Sequence, residues 1–140
     1  MKDYNNMIAL AYEAQRYAYT PYSKFKVGAA LLAKNGTIYQ GCNIENASYS
    51  PTNCAERTAF FKAISEGVTE FEAIVIVGNK DGVRPGEGDY CAPCGVCRQV
   101  IAEFCNPKEF KIILANGLDN YKEYTLEELL PLGFTAKNLD

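Results

Sequence analysis

Apolar positions change their spacing several times along the chain, and each change predicts an element. Met7, Ile8, Ala11, Ala14 and Ala18 recur at intervals of three and four, the stripe of an amphipathic helix over residues 3–18 that Asp3 caps and Thr20-Pro21 ends. Phe25 to Ala33 and Thr37 to Cys42 are apolar, β-rich runs on either side of Lys34-Asn35-Gly36, and the Asn-Gly pair predicts a hairpin. Polar residues 41–53 predict a loop, residues 54–66 a helix closed by Gly67, and the Ile-Val-rich run from Phe71 to Val77 a buried strand. Residues 79–90, broken by Gly82, Pro85, Gly86 and Gly88, predict a mobile loop. Beyond it come a helix over 94–104, a buried strand over 110–115, a short strand over 121–124 and a terminal helix over 126–130 halted by Pro131. Helices alternating with strands after an opening hairpin predict an α/β fold, a three-layer α/β/α sandwich around a mixed sheet of about five strands.

Length and composition narrow this further. At 140 residues and 48% hydrophobic, the chain predicts one domain over 1–140, burying about 68% of its extended-chain surface. A formal charge of −3 lacks the basic excess that neutralises phosphates, which points away from a nucleic acid polymer as substrate. No apolar run approaches the roughly 20 residues needed to span a bilayer and the N-terminus has no secretory pattern, so a cytoplasmic protein with no membrane partner is expected. Six cysteines in such a chain predict metal binding or catalysis before disulfides. With no histidine at all, a Ser-His-Asp or Cys-His hydrolase is excluded, and acid-base work falls to Glu, Asp, Lys, Tyr or Cys.

The candidate chemistry lies in Cys54-Ala55-Glu56 and in Pro93-Cys94-Gly95-Val96-Cys97. Cys94 and Cys97 share a helix face and can bind one ion, with Cys54 as third ligand from another element. Zinc prefers four ligands, so three leave room for a water whose pKa falls to roughly 7, and Glu56 reads as the base beside it. Three thiolates leave a dication at net −1. Two helix N-termini, at Cys54 and Cys94, and hydrogen bonds from Arg57 would offset that excess. A structural four-cysteine site with Cys91 is the main alternative, and it leaves Glu56 without a role. An iron–sulfur run would need a cysteine at position 101, where the chain has Ile101. In the stretch Gly41 to Tyr49, Asn43 and Glu45 can point the same way and hold a sugar hydroxyl as donor and acceptor. The alternative is a loop whose Asn side chains satisfy their own backbone.

These residue types resemble the zinc-dependent nucleoside and nucleobase deaminases. Adding Tyr22-Ser23-x-Phe25-x-Val27-Gly28-Ala29-Ala30 and the continuation Cys97-Arg98-Gln99, the chain closely resembles the small, homotetrameric cytidine deaminases from about Tyr12 to Phe134. The resemblance implies one zinc per chain on Cys54, Cys94 and Cys97, with Glu56 catalytic and Arg57 bonded to the thiolates. It also implies Asn43 and Glu45 on the ribose, centred on its 3′-hydroxyl, with Phe25 and Ala55 against the nucleoside. Ala47 and Tyr49 would lie near an adjoining subunit's substrate, and Phe134 would reach into a neighbour's base pocket. The implied reaction is hydrolytic deamination of cytidine and deoxycytidine to uridine and deoxyuridine with release of ammonia, as in pyrimidine salvage. Two competing functions are a deaminase of a cytosine-containing antibiotic such as blasticidin S and a structural-zinc interaction module. Phe25 and Phe134 as plain core residues, and Arg57 as a solvated charge, are the bland readings of those positions. Cys42 and Cys105 read as buried small hydrophobes.

Overall fold

In the computed structural model, which describes residues 4–140, the chain runs through α1 (Asn5–Gln15), β1 (Phe25–Ala33), β2 (Ile38–Cys42), α2 (Ala55–Ser65), β3 (Phe71–Lys80), α3 (Gly95–Phe104), β4 (Lys111–Ala115), β5 (Tyr121–Thr125) and α4 (Leu126–Leu129), then a 3₁₀ turn at Ala136–Leu139. The five strands form one mixed sheet in the order β2-β1-β3-β4-β5. β1 pairs antiparallel with both β2 and β3, β4 pairs antiparallel with β5, and β3 and β4 are the parallel pair, connected through α3. No helix among the described residues is long and apolar enough to cross a membrane.

The alternation of β3 explains why the sheet is covered on both faces. Ala73, Val75 and Val77 pack with Met7, Ile8 and Ala11 of α1, whereas Ile74 and Ile76 pack with Ala59, Phe60 and Ala63 of α2 and Ile101 of α3. The expected α/β/α sandwich is therefore what these residues build. Two glycines set how closely the layers approach. A Cβ at Gly28 would lie 2.0 Å from the Ala11 carbonyl oxygen of α1, and one at Gly41 would lie 2.4 Å from the Ala55 carbonyl oxygen at the start of α2. Gly41 thus lets the first turn of α2, and with it the Cys54-Ala55-Glu56 segment, rest directly on the sheet.

Several boundaries depart from the sequence pattern. The cap expected at Asp3 lies outside the described residues, and α1 stops at Gln15 rather than Ala18. The chain leaves the helix through i→i+3 turn bonds, and Tyr19 then donates to the Asn43 carbonyl and accepts from Glu45 N–H in a bridge with Ile44. Pairing with a distant strand segment wins over the local helical period. β3 runs on to Lys80, into residues that read as loop, because Gly78, Asn79 and Lys80 pair with Val27, Lys26 and Phe25. The loop beyond is tethered: Asn116 accepts from Gly86 N–H and donates to the Gly88 carbonyl, and Tyr90 donates to Asn120. The 3₁₀ turn at Ala136–Leu139 has no apolar periodicity to announce it.

Gly28→Ala should loosen α1 from the sheet, because the clashing atoms are backbone and cannot rotate away. We expect a loss of about 1–3 kcal/mol or more in urea unfolding, and an unchanged midpoint would show that α1 can shift at little cost.

Candidate metal centre and the residues around it

Cys54 is the N-cap of α2 and Cys94 the N-cap of α3, so two helix N-termini converge as expected. The Cys54 and Cys94 sulfurs are 3.6 Å apart and those of Cys94 and Cys97 3.5 Å, with all three sulfurs within 4.8 Å of one another. A tetrahedral zinc at about 2.3 Å from each thiolate requires sulfurs about 3.8 Å apart, so the donor type and spacing fit that ion. Cys91 does not join this group. Its thiol instead packs over Gly78: a Cβ there would lie 2.8 Å from the Cys91 Sγ and 3.0 Å from Cε1 of Phe25. None of the six cysteines is in a disulfide. Cys42 and Cys105 are half-buried rather than fully buried as expected, and that partial burial pushes both thiols up, the latter to about 12.

Arg57, one helical turn after Cys54, donates from Nη2 to the Cys54 sulfur at 3.3 Å. It is no solvated charge. Hydrogen bonding from Cys97, followed by that from Arg57, holds the Cys54 thiol well below the usual range. The same bond to Cys54 and burial push the Cys97 thiol the other way. The Cys97 backbone N–H also points at the Cys94 sulfur, at 3.5 Å. Cys94 is exposed whereas Cys97 is fully buried, which leaves one open side to the cluster.

Glu56 is 4% exposed, on the first turn of α2 beside these thiols. Burial, with the Cys54 charge adding to it, pushes its carboxyl up to about 7. A buried carboxyl next to a three-thiol cluster with one open side can hold or pass a proton to whatever enters there. Burial, then the charges of Glu56, Cys54 and Cys94, push the Cys91 thiol up to about 12. Phe25, Gly78 and Cys91 therefore form a wall near the cluster. Ala55 is fully buried under the Gly41 approach.

Asn43 and Glu45 do not stand free. Asn43 donates from Nδ2 to the Phe25 carbonyl and accepts from Val27 N–H, both at 2.9 Å, and Glu45 accepts from the 22–23 turn. Ala47 and Tyr49 are exposed, Tyr49 to 82%, and Phe134 to 59%, so Phe134 is not a core residue of this chain. Two further contacts come from Arg98 and Gln99, which follow Cys97 in the motif. Arg98 donates to the carbonyls of Pro93 (2.8 Å) and Leu129 (2.6 Å), and Gln99 donates to that of Phe134 (2.7 Å). Together they tie the Pro93–Cys97 motif to the C-terminal segment, across sequence separations that no local pattern reveals.

The family model described as cytidine and deoxycytidylate deaminase zinc-binding region matches residues 1–113. A cytidine deaminase from Sporosarcina psychrophila is 52% identical, covering 98% of this chain and 95% of that protein. Another, from Halalkalibacterium halodurans, is 50% identical over 99% of this chain and 98% of its own length. The crystal structure of the cytidine deaminase from Burkholderia pseudomallei superposes with a TM-score of 0.83 at 42% identity, covering 95% of this chain and all of that one. A blasticidin-S deaminase from Bacillus cereus is 35% identical, over 81% of this chain and 79% of its own length.

Metal analysis separates the cluster from its neighbour. The parent should carry one zinc per chain and Cys94→Ala close to none, while Cys91→Ala should keep it; equal loss from both would restore the four-cysteine site.

Proposed function

This chain belongs to the zinc-dependent cytidine and deoxycytidylate deaminase family, and we propose that it hydrolyses cytidine and deoxycytidine to uridine and deoxyuridine with release of ammonia. The observation that carries this reading is Glu56, a carboxyl buried against three thiols of zinc spacing. Zinc, when bound, supplies a Lewis acid that polarises a water at the open side of the cluster. Cys54, Cys94 and Cys97 hold the ion, and Arg57, bonded to the Cys54 sulfur, draws charge away from the thiolates. Glu56 takes one proton from the attacking water and delivers it to N3 of the pyrimidine as C4 is attacked. It then takes the second from the resulting C4 hydroxyl and passes it to the amine, so that the C4–N bond breaks, the C4 carbonyl forms and ammonia leaves. Phe25 and Ala55 flank the nucleoside, and Asn43 and Glu45 hold its sugar.

The competing readings lack such support. A structural zinc module has no use for a buried carboxyl at the cluster, since that group costs free energy to desolvate and contributes nothing to a closed site. The antibiotic-deaminase reading draws on a relative 35% identical, against 52% and 50% for the two cytidine deaminases. It also leaves the sugar-facing chemistry of Asn43 and Glu45 unused.

We take residues 1–140 as one deaminase unit working in the cytoplasm as a homotetramer. Supporting the assembly, Tyr49, Phe134 and Leu132 leave large apolar surface open on one chain, and symmetric association is the common way to cover it. Phe134 from a neighbour would then close the base pocket and exclude water. Six cysteines outside any disulfide suit a reducing compartment.

Glu56→Gln preserves shape and removes the proton carrier. Ammonia release should fall by about 10²- to 10⁴-fold with zinc retained, and activity within a few-fold of the parent would overturn the role of Glu56. For the assembly, light scattering should give four chains. Mixing and reassembling Glu56→Gln with Phe134→Ala should recover part of the activity, because intact groups from different chains can then meet in one pocket. A fully active monomer would refute the shared pocket.

A further inference from the structure

Ser23 is an exposed turn residue to which neither the motif nor the mechanism gives a role, yet it joins the two loops that meet at the sugar-binding residues. Its hydroxyl donates to Glu45 Oε2 and accepts from Phe25 N–H at 3.0 Å. Glu45 Oε1 accepts from the N–H groups of Tyr22 and Ser23, each at 3.1 Å. Phe25 is gripped from the other side, where its carbonyl accepts from Asn43 Nδ2. Phe25, Asn43 and Glu45 are therefore one hydrogen-bonded unit, and the Ser23 hydroxyl closes it.

A carboxylate offers about four lone-pair positions. The turn fills two on Oε1 and one on Oε2, which leaves Glu45 one position, on Oε2, and the Ser23 hydroxyl determines which. Ser23 and Glu45 also line a surface cavity together with Tyr22, Asn46, Tyr49 and Thr52, so the carboxylate borders open space. The carboxyl of Glu45 lies below its ordinary range, chiefly through the Ser23 hydroxyl, and so remains an ionised acceptor.

We propose that Ser23 is a positioning residue for the nucleoside's sugar: by occupying one side of Glu45 Oε2 while holding the Phe25 amide, it leaves Glu45 a single direction from which to accept the 3′-hydroxyl. Selectivity among sugar hydroxyls is then set by Ser23 acting through Glu45. The proposal rests on the deaminase reading above.

The test compares zinc-loaded parent, Ser23→Ala and Ser23→Thr on cytidine and 3′-deoxycytidine, reading kcat and KM separately. Calorimetric binding of both nucleosides in the Glu56→Gln background reads sugar recognition without turnover. Ser23→Ala should raise KM and Kd for cytidine about tenfold, the scale of one lost hydrogen bond to a charged group, with kcat within about threefold. For 3′-deoxycytidine both constants should stay within about twofold, so the preference between the two sugars narrows by most of that tenfold. Ser23→Thr keeps the hydroxyl and should restore the preference. An unchanged preference in Ser23→Ala, or an equal rise for both nucleosides, would reduce Ser23 to a turn residue and overturn the proposal. A parent that releases no ammonia from cytidine would overturn the deaminase reading instead, and the binding comparison would still judge Ser23.

Discussion

Three sulfurs held within 4.8 Å of one another are a demanding arrangement, since three thiolates repel and only a cation or shared protons can keep them together. Much of the surrounding architecture serves to bring them there. Two helices begin at the cluster, each presenting its positive end, and Arg57 adds a donor to the Cys54 sulfur. The parallel β3–β4 connection is what allows α3 to start beside α2, because a crossover helix must return along the sheet face that α2 already covers. Gly41 then removes the last Cβ that would hold α2 off the sheet.

The same constraint explains why Glu56 is buried. It follows Cys54 by two residues on the first helical turn, so docking the thiol against its partners carries the carboxyl into the interior. A desolvated carboxyl costs free energy that folding alone would not select, and its place beside a metal cluster is the compensation.

The chemistry was legible in the sequence because the cluster depends on short-range spacing: Cys54 with Glu56, and Cys94 with Cys97, each sit within one turn of a helix. Sheet composition was legible for the same reason, since β1 and β3 carry unbroken apolar runs. What escaped depends on pairing between distant segments. α1 ends early because Tyr19 joins Asn43 and Glu45, and β3 extends through polar residues because β1 offers a partner. Asn43 and Glu45 were identified as polar groups of a loop, but their partners lie 16 to 23 residues away in the 22–27 segment, which no local pattern encodes. Cys91 entered the sequence pattern only as the fourth ligand of the alternative four-cysteine site, and its sulfur lies outside the three-thiol group and over Gly78, a long-range placement that no local spacing encodes.

Cys54 and Cys94 are 40 residues apart in sequence, and that separation orders events as the chain folds. The β1–β2 hairpin and α2 involve neighbouring segments and close small loops, whereas bringing Cys94 to Cys54 requires β3 to be laid against β1 and the crossover to be completed, at a larger loop-closure cost. Until then Cys54 is a solitary thiol, and Cys94 with Cys97 an incomplete pair. The three-sulfur cluster is therefore a late product of folding, one that a half-formed chain cannot counterfeit, so tight capture of zinc marks a chain whose two halves have already docked.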